Sequence, residues 1–276
     1  MGLFEVLLTP RPARLSGEMT NPACEFWRPM AGPLVHAHRG GAGLAPENTM
    51  AAFRNSVALG AHCIELDVRL CASGELVVVH DEDLRRVAGL EARVAELPMA
   101  ELKSLDVGSH FSAEFAGESI PCLVEVLEEL GQETLFNIEV KEESLLGDGT
   151  SARLGPLLSS MGLEQRCLVS SFNPGALLRV ARDCSAVLAL LYPTEGAGRL
   201  KDRLSARPWL ARALPVVAIN PHYESVSPKL VSCAHRRGLG VNAWTVNQAA
   251  VMAEQLHMGV DGLITDRPDL ALELLL

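Results

Sequence analysis

Two short segments carry charged side chains at alternate positions. Glu65 and Asp67 are separated by one apolar residue, and Asn137, Glu139 and Lys141 repeat the same spacing. Residues two apart in a β-strand point to the same face, so each segment would direct its polar groups to one side. Three carboxylates gathered in one place cannot all stay ionised without a positive charge among them. The pattern therefore favours a Mg²⁺ or Ca²⁺ site over an exposed acidic strand or a simple ion pair of Glu139 with Lys141.

Two histidines stand where they could flank such a site. His38 ends a short apolar run, and His80 ends the run Glu75–His80. A histidine pair with pKa values near neutral can act as base and acid on either side of a reacting phosphorus. A single histidine at a strand end is more often structural, so the argument depends on the pair. If residues 71–74 form a turn, counting outward from it places His80 opposite Glu65.

The segment after His38 is rich in glycine and reads Gly40-Gly41-Ala42-Gly43. Such a loop lets backbone N–H groups approach an anion, but it is equally typical of a tight turn with positive φ, and both interpretations stay open. Asn48 is expected to cap the helix that follows. Asn173 and Pro174 are expected to begin a second helix.

Eight short apolar runs, separated by longer segments of helical pattern, would position these groups. The runs are Leu34–His38, Cys63–Leu70, Leu135–Lys141, Cys167–Ser171, Ala186–Leu191, Val216–Asn220, Gly240–Thr245 and Gly262–Thr265. The repeat of about 29 residues is the size of one strand plus one helix. Eight such units predict an α/β fold of the closed (β/α)8, or TIM barrel, type. Functional residues of a TIM barrel lie at the C-terminal ends of the strands, where the charged residues fall here.

A ninth run and two segments without periodicity complete the organisation. The run Glu75–His80 follows the second strand after a turn too short for a parallel crossover, so it is expected to form a hairpin arm. Residues 81–121 form a small insertion before a predicted helix at Leu123–Leu130, and such an insertion at a barrel mouth often shapes a pocket. Residues 1–33 are expected to be an N-terminal extension, which leaves 34–276 for the barrel.

Composition excludes several classes of protein. The chain has 276 residues, of which 48% are hydrophobic, and a net charge of −10, so it suits a large core and does not favour nucleic acid binding. No apolar run is long enough to span a bilayer, and Glu5 interrupts the first apolar stretch, against a signal peptide. The seven cysteines form no CxxC pair, which indicates reduced thiols and a cytoplasmic protein. Met19 is an alternative start.

An ordered set of motifs runs through the chain. It comprises His38-Arg39-Gly40-Gly41, Pro46-Glu47-Asn48-Thr49, Glu65-Leu66-Asp67-Val68, Val79-His80-Asp81, Asn137-Ile138-Glu139-Val140-Lys141, Ser170-Ser171-Phe172, Ala243-Trp244-Thr245-Val246 and Thr265-Asp266-Arg267-Pro268. In this order they resemble the glycerophosphodiester phosphodiesterase family over residues 34–276. One departure is Arg86-Val87-Ala88-Gly89, which stands where the family commonly has a threonine-rich run.

The resemblance implies a metal-dependent hydrolase on a TIM barrel with a small insertion. Its substrate would be a glycerophosphodiester, cleaved to an alcohol and sn-glycerol 3-phosphate after a glycerol hydroxyl first attacks phosphorus to give a cyclic phosphate. The resemblance implies that His38 and His80 are the general base and acid, and that one Mg²⁺ or Ca²⁺ is bound by Glu65, Asp67 and Glu139. It also implies that phosphate is bound by Arg39 and Lys141 and that the apolar pocket wall is formed by Phe172 and Trp244. Glu47 would support the site without contacting the substrate.

Other functions stay open at this point. A lysophospholipase D would need an apolar entry for an acyl chain, for which Phe111 and Phe115 are candidates. An amidohydrolase-like enzyme would use His36-x-His38, but the expected histidine on strand 5 is missing and His222 lies past strand 6. A Rossmann dinucleotide site lacks its third glycine. A non-catalytic binder of a phosphorylated metabolite is also consistent with the residues. The sequence does not decide the headgroup, the metal or the oligomeric state.

Overall fold

Eight parallel strands close into a barrel in the computed structural model of the protein, which describes residue 26 and residues 32–193 and 214–276. The barrel strands are β1 (Leu34–Ala37), β2 (Cys63–Leu70), β4 (Leu135–Val140), β5 (Cys167–Ser171), β6 (Val187–Tyr192), β7 (Ala218–Pro221), β8 (Gly240–Ala243) and β9 (Gly262–Thr265). Each pairs in parallel with the next, and β9 pairs with β1 to close the ring. The predicted TIM barrel is confirmed, and the eight predicted runs end within two residues of the observed strands.

The register between β2 and β4 aligns the two charged segments. Glu65 lies opposite Asn137, and Asp67 lies opposite Glu139. The residues between them, such as Leu66 and Ile138, are fully buried in the apolar layer outside the barrel strands. Because side chains alternate along both strands, the polar residues of the two segments share the inner face of the barrel. The alternation seen in the sequence thus becomes one polar patch.

Helices cover the barrel. They are α1 (Met50–Ala58), α2 (Arg85–Ala88), α3 (Met99–Leu102), α4 (Leu123–Leu130), α5 (Thr150–Met161), α6 (Pro174–Asp183), α7 (Pro228–His235), α8 (Ala249–Met258) and α9 (Pro268–Glu273). Helix α6 begins as predicted, because the Asn173 side chain accepts a hydrogen bond from the Gly175 N–H and Pro174 occupies the first turn. Helix α4 also has its predicted bounds.

The predicted cap of helix α1 was wrong. Thr49, not Asn48, accepts the hydrogen bond from the Ala52 N–H at the start of this helix. Asn48 adopts a left-handed backbone with φ of 57°, and its Nδ2 donates to Asp67 Oδ2 at 2.9 Å. A buried carboxylate on the neighbouring strand therefore uses the amide that the sequence rule assigned to the helix terminus.

A hairpin joins the barrel to the insertion. Strand β3 (Leu76–Val78) runs antiparallel to the end of β2, as predicted, with Val78 opposite Val68. Leu70 pairs with Leu76, so five residues separate this last strand pair instead of the expected four. His80 therefore continues the register level with Leu66. The prediction that it lies opposite Glu65 was wrong by one residue.

The insertion has a small core of its own. Besides α2 and α3, residues 81–121 form 3₁₀ turns at Val94–Glu96 and Ala113–Phe115. Its buried apolar side chains include Leu84, Val87, Leu102 and Ile120, packed against the outer face of β3. This packing fixes the short helix α2 near the barrel mouth, because burying each such side chain is worth roughly 1.5–3 kcal/mol.

The opposite end of the barrel contacts the segment that precedes it. Phe26 is fully buried in one apolar cluster with Leu34, Cys63 and Leu168, which lie in the first two residues of three barrel strands. The predicted extension thus contributes at least this residue to the barrel floor; the other residues of 1–31, including Met19, lie outside the described residues. The domain limits at 34 and 276 stay predictions. No helix in the described ranges is long and apolar enough to cross a membrane.

Candidate active site

Three buried carboxylates converge where the middle of β2 pairs with β4. Glu65, Asp67 and Glu139 each offer an oxygen, and these atoms all lie within 4.8 Å of one another. Oxygens bound to one hard cation at about 2.0–2.6 Å can be separated by at most about 4–5 Å, so the spacing fits a single ion. Among the residues that the structure describes, this is the one such group of three ligand side chains. It contains no histidine, which disfavours the amidohydrolase-like interpretation.

The pKa values of two of these carboxyls are shifted in opposite directions. Burial, together with the charge of Asp67, raises the pKa of Glu65 to about 8. Burial acts in the same direction on Asp67, but Lys141 and Arg39 outweigh it and hold the pKa of that carboxyl well below its ordinary value. Asp67 Oδ1 is buried and accepts no hydrogen bond, although the Lys141 ammonium lies 3.1 Å away. A divalent cation beside Glu65 would favour its ionised form, and Asp67 Oδ1 keeps a lone pair for that ion.

Two cations border the carboxylates. Lys141 Nζ donates to Glu139 Oε1 at 2.7 Å, and Asp67 and Glu139 together raise the pKa of this buried lysine. The Arg39 N–H donates to Glu65 Oε2 at 2.8 Å, and its Nη1 donates to Glu47 Oε1 at 3.0 Å. Both residues predicted to bind phosphate therefore lie at the edge of the acidic group, and Glu47 contacts Arg39; their roles stay predictions.

His38 is held by a carboxylate from the last barrel strand. Its Nδ1 lies 2.6 Å from Asp266 Oδ1, and its Nε2 lies 4.0 Å from Glu65 Oε2. Burial lowers the pKa of His38, but the charge of Glu65 and the hydrogen bond that His38 donates to Asp266 outweigh it, so the pKa is raised. Asp266 Oδ2 in turn accepts from Asn247 Nδ2 at 2.5 Å. The Asp266 carboxyl has a lowered pKa, because its hydrogen bonds and the nearby charges outweigh burial, so as a carboxylate it accepts a hydrogen bond from the His38 Nδ1–H.

His80 is held in the same way by its neighbour in sequence. Its Nδ1 lies 2.7 Å from Asp81 Oδ1, and Asp81 Oδ2 accepts from Arg86 Nε at 2.7 Å. Burial lowers the pKa of His80 and outweighs the opposing charge of Asp67. Arg69 donates from Nε to the His80 carbonyl at 2.8 Å, which anchors the backbone at this point. Both histidines therefore use Nδ1 for an aspartate and leave Nε2 free.

An aromatic wall lies across the barrel mouth. Phe172 and Trp244, which follow β5 and β8, meet edge to face with ring centroids 5.5 Å apart. Trp244 Nε1 donates to the Asn220 carbonyl at 2.7 Å, which fixes the indole. His222 packs against the same indole with centroids 5.2 Å apart. The two aromatic residues predicted for the pocket are therefore brought together, with a third ring that the sequence did not suggest.

Sequence reasoning gave no role to several residues that this site uses. Asp81 and Asp266 occur in the motifs but were assigned no part, although one follows a candidate histidine and the other ends a barrel strand. Asn48 was taken only as a helix cap. The glycine-rich turn after His38 has positive φ at Gly40 and Gly41, as the tight-turn interpretation expects. His36 is buried with neither ring nitrogen hydrogen-bonded, and burial lowers its pKa to about 3.

Comparisons with known proteins agree with this geometry. Residues 38–270 match the model of the glycerophosphoryl diester phosphodiesterase family. A glycerophosphodiester phosphodiesterase of Caldanaerobacter subterraneus subsp. tengcongensis is 37% identical over 243 residues, which cover 87% of this chain and 97% of that protein. An Oleispira antarctica phosphodiesterase solved with the product sn-glycerol-3-phosphate superposes with a TM-score of 0.75 at 28% identity, covering 88% and 96% of the chains. Agrobacterium tumefaciens glycerophosphodiester phosphodiesterase gives 0.72 at 28% identity, covering 87% and 98%. The chain belongs to the glycerophosphoryl diester phosphodiesterase family.

Proposed function

We propose that this protein hydrolyses glycerophosphodiesters to an alcohol and sn-glycerol 3-phosphate in a reaction that depends on one divalent cation. The observation that carries the proposal is a group of three carboxylates within 4.8 Å, flanked by two imidazoles that each bind an aspartate through Nδ1. Family membership and the product bound to the Oleispira relative support the substrate class.

Glu65, Asp67 and Glu139 would hold the cation, either Mg²⁺ or Ca²⁺. When bound, such an ion offsets negative charge on the phosphoryl oxygens. Arg39 and Lys141 lie beside the same carboxylates and would receive the remaining phosphate oxygens. These side chains are already oriented by their acidic partners, so little reorganisation is needed when an anionic substrate binds.

The two histidines would move the protons of the reaction. One Nε2 takes the proton of the attacking hydroxyl, while the other gives a proton to the oxygen of the leaving alcohol as the phosphorus–oxygen bond breaks. If a glycerol hydroxyl attacks first, a water molecule opens the cyclic phosphate in a second step with the roles of the two histidines exchanged. Because each Nδ1 binds an aspartate, Nε2 is the ring nitrogen that would carry out these transfers.

Phe172 and Trp244 would contact the apolar side of the glycerol or of the leaving alcohol. The alternative with a lysophospholipid substrate requires an apolar surface beyond this wall. In the insertion, Phe111 is 41% exposed and packs edge to face with Phe115, with centroids 5.7 Å apart. A lysophospholipid is therefore a substrate to test beside the small diesters.

The deciding experiment is a coupled assay for glycerol 3-phosphate release from glycerophosphocholine, glycerophosphoethanolamine and glycerophosphoinositol. A lysophospholipid is tested in parallel by release of its headgroup alcohol, because its other product would be lysophosphatidic acid. Activity is expected with at least one small diester, to be abolished by EDTA and restored by Mg²⁺ or Ca²⁺. Glu129→Gln, a change in an exposed acid paired with Arg54, is the control and is expected to be fully active. Undiminished turnover after chelation would contradict the metal, and tight metal binding without turnover of any diester would indicate a binding protein.

We also infer a cytoplasmic location. The six cysteines that the structure describes, Cys63, Cys71, Cys122, Cys167, Cys184 and Cys233, are all free thiols. Reduced cysteines are typical of proteins from reducing compartments. Localisation by fractionation of the producing cell, with the enzyme assay as the readout, tests this inference.

A further inference from the structure

One guanidinium in the insertion joins two carboxylates that serve different parts of the site. Arg86, in helix α2, donates from Nη1 and Nη2 to the two oxygens of Glu47 at 2.5 and 2.7 Å. Its Nε donates to Asp81 Oδ2 at 2.7 Å. Glu47 belongs to the loop before α1, whereas Asp81 follows the hairpin, so Arg86 connects the barrel to the insertion.

Each of these carboxylates holds a residue of the proposed chemistry. Asp81 binds the Nδ1 of His80 at 2.7 Å, and Glu47 accepts from Arg39 Nη1 at 3.0 Å. A continuous set of charge-assisted hydrogen bonds therefore runs from the imidazole to the candidate phosphate-binding arginine. Arginine suits this position because its planar fork can serve two carboxylates at once, whereas a lysine ammonium is a single point charge.

We propose that Arg86 is a positioning residue that sets His80 and Arg39 relative to each other. The proposal rests on the proposed function for its consequence, but its geometry can be tested separately. Arg86 has only N–H donors, so it fixes Asp81 with one oxygen toward Arg86 and the other toward His80 Nδ1. The Nδ1–H tautomer of His80 follows, with Nε2 available for proton transfer. Glu47, held at both oxygens, orients the Arg39 guanidinium from behind.

Steady-state kinetics of the metal-loaded full chain test the positioning role. Arg86→Gln should lower kcat about 10- to 100-fold and raise KM, because both the proton-transfer group and the phosphate-binding group lose their support. The matched control is Arg85→Gln, since the adjacent Arg85 pairs, among the residues that the structure describes, with two acids of the insertion, Asp83 and Glu91. We expect this control to stay within twofold of the parent. Arg86→Lys should fall between parent and Arg86→Gln; full activity of the lysine variant would show that charge alone suffices and would overturn the bridging role.

A double variant separates positioning from mere structural support. In Asp81→Asn the amide must keep its oxygen toward Arg86, which turns its NH₂ to His80 Nδ1 and imposes the wrong tautomer. Adding Arg86→Gln frees the amide to reverse, so the combined loss in the double variant should be smaller than the product of the two single losses, although the loss of support for Arg39 remains. Losses that multiply would contradict the proposal.

A measurement that does not depend on turnover tests the positioning role separately from the proposed function. Imidazole ¹⁵N spectra of the metal-loaded protein should show His80 as the Nδ1–H tautomer, with an Nδ1 proton protected from exchange. That protection should be lost in Arg86→Gln and kept in Arg85→Gln. An unchanged His80 signal in a folded Arg86→Gln protein would overturn the positioning role, whatever the substrate proves to be.

Discussion

The two histidine flanks of the site have the same local chemistry but different construction. On the first, defined as His38, Asp266 and Asn247, every group comes from the barrel ends. On the second, defined as His80, Asp81 and Arg86, the groups come from the hairpin and the insertion. The barrel flank is the more buried: the imidazole of His38 is 16% exposed, and that of His80 is 31% exposed.

The same pairing of a histidine with an aspartate is thus reached at two very different separations in the sequence. The aspartate that orients His80 is the next residue, so a dipeptide contains the pair. The aspartate that orients His38 lies 228 residues away and reaches it only because β9 closes the barrel against β1. The insertion flank can therefore vary with the insertion, whereas the barrel flank depends on closure of the whole fold.

Removing either imidazole should give the largest effects. We expect His38→Ala and His80→Ala each to lower kcat/KM by about 10² to 10⁴, because each loses one proton-transfer group. The two flanks should differ with the leaving group. A p-nitrophenyl diester, whose leaving group needs no proton, should recover activity in one variant only, and that histidine is the acid for the first step. Equal responses in both variants would contradict the assignment of one histidine as base and the other as acid.

Changing the aspartates should give the next largest effects. In both flanks the outer oxygen faces a donor: Arg86 for Asp81, and the amide of Asn247 for Asp266. Asn247 cannot reverse freely, because its Oδ1 already accepts from the Asp266 N–H at 2.9 Å. Asp81→Asn and Asp266→Asn should therefore impose the wrong tautomer and lower kcat by about 10²-fold or more. Metal binding measured by calorimetry should be unchanged by Asp81→Asn; a lost metal site would point to a collapse of the loop instead.

Much of this arrangement could be predicted from sequence because it depends on local periodicity. The acids of β2 and β4 appear in the sequence as alternation, which a strand converts directly into a shared face. The closed barrel follows from the repeat length of strand plus helix. The hairpin was also visible, but its register was not, because register depends on how many residues the turn uses.

The residues that sequence reasoning misassigned respond to tertiary contacts. Asn48 satisfies a helix-cap rule, yet its amide donates to the buried carboxylate of Asp67, 19 residues on, and Thr49 caps the helix instead. Asp266 gains its role only when the first and last strands meet. The burial of Phe26 was not predicted, because no local pattern shows that the barrel floor leaves space for a ring there; the extension itself stays a prediction.

Removing the negative charge of either aspartate should lower the pKa of the histidine that it binds. Each aspartate favours the imidazolium form of its histidine. Burial leaves the pKa of His80 lowered, and the hydrogen bond to Asp81 offsets part of that shift; Asp266 contributes to the raised pKa of His38. Loss of either carboxylate charge should lower the pKa of the attached imidazole. NMR titration of the metal-loaded variants should show the affected ring titrating at lower pH than in the parent and the other ring unmoved. A rise in either pKa would mean that the aspartates do not act as charged partners.

The outermost donors should give the smallest effects, and an unequal pair. Asn247 is exposed, so water can replace the hydrogen bond that it donates to Asp266; Asn247→Ala should lower kcat/KM by about 3- to 10-fold, or roughly 1 kcal/mol. Gln248→Ala, a change in its exposed neighbour, is the control. Arg86→Gln should do more damage, because water cannot supply the charge that holds Glu47 and Asp81 together. Equal losses of kcat/KM at Asn247 and Arg86 would mean that His80 depends on its outermost donor no more than His38 does. The position of the more exposed His80 would then not depend on the insertion.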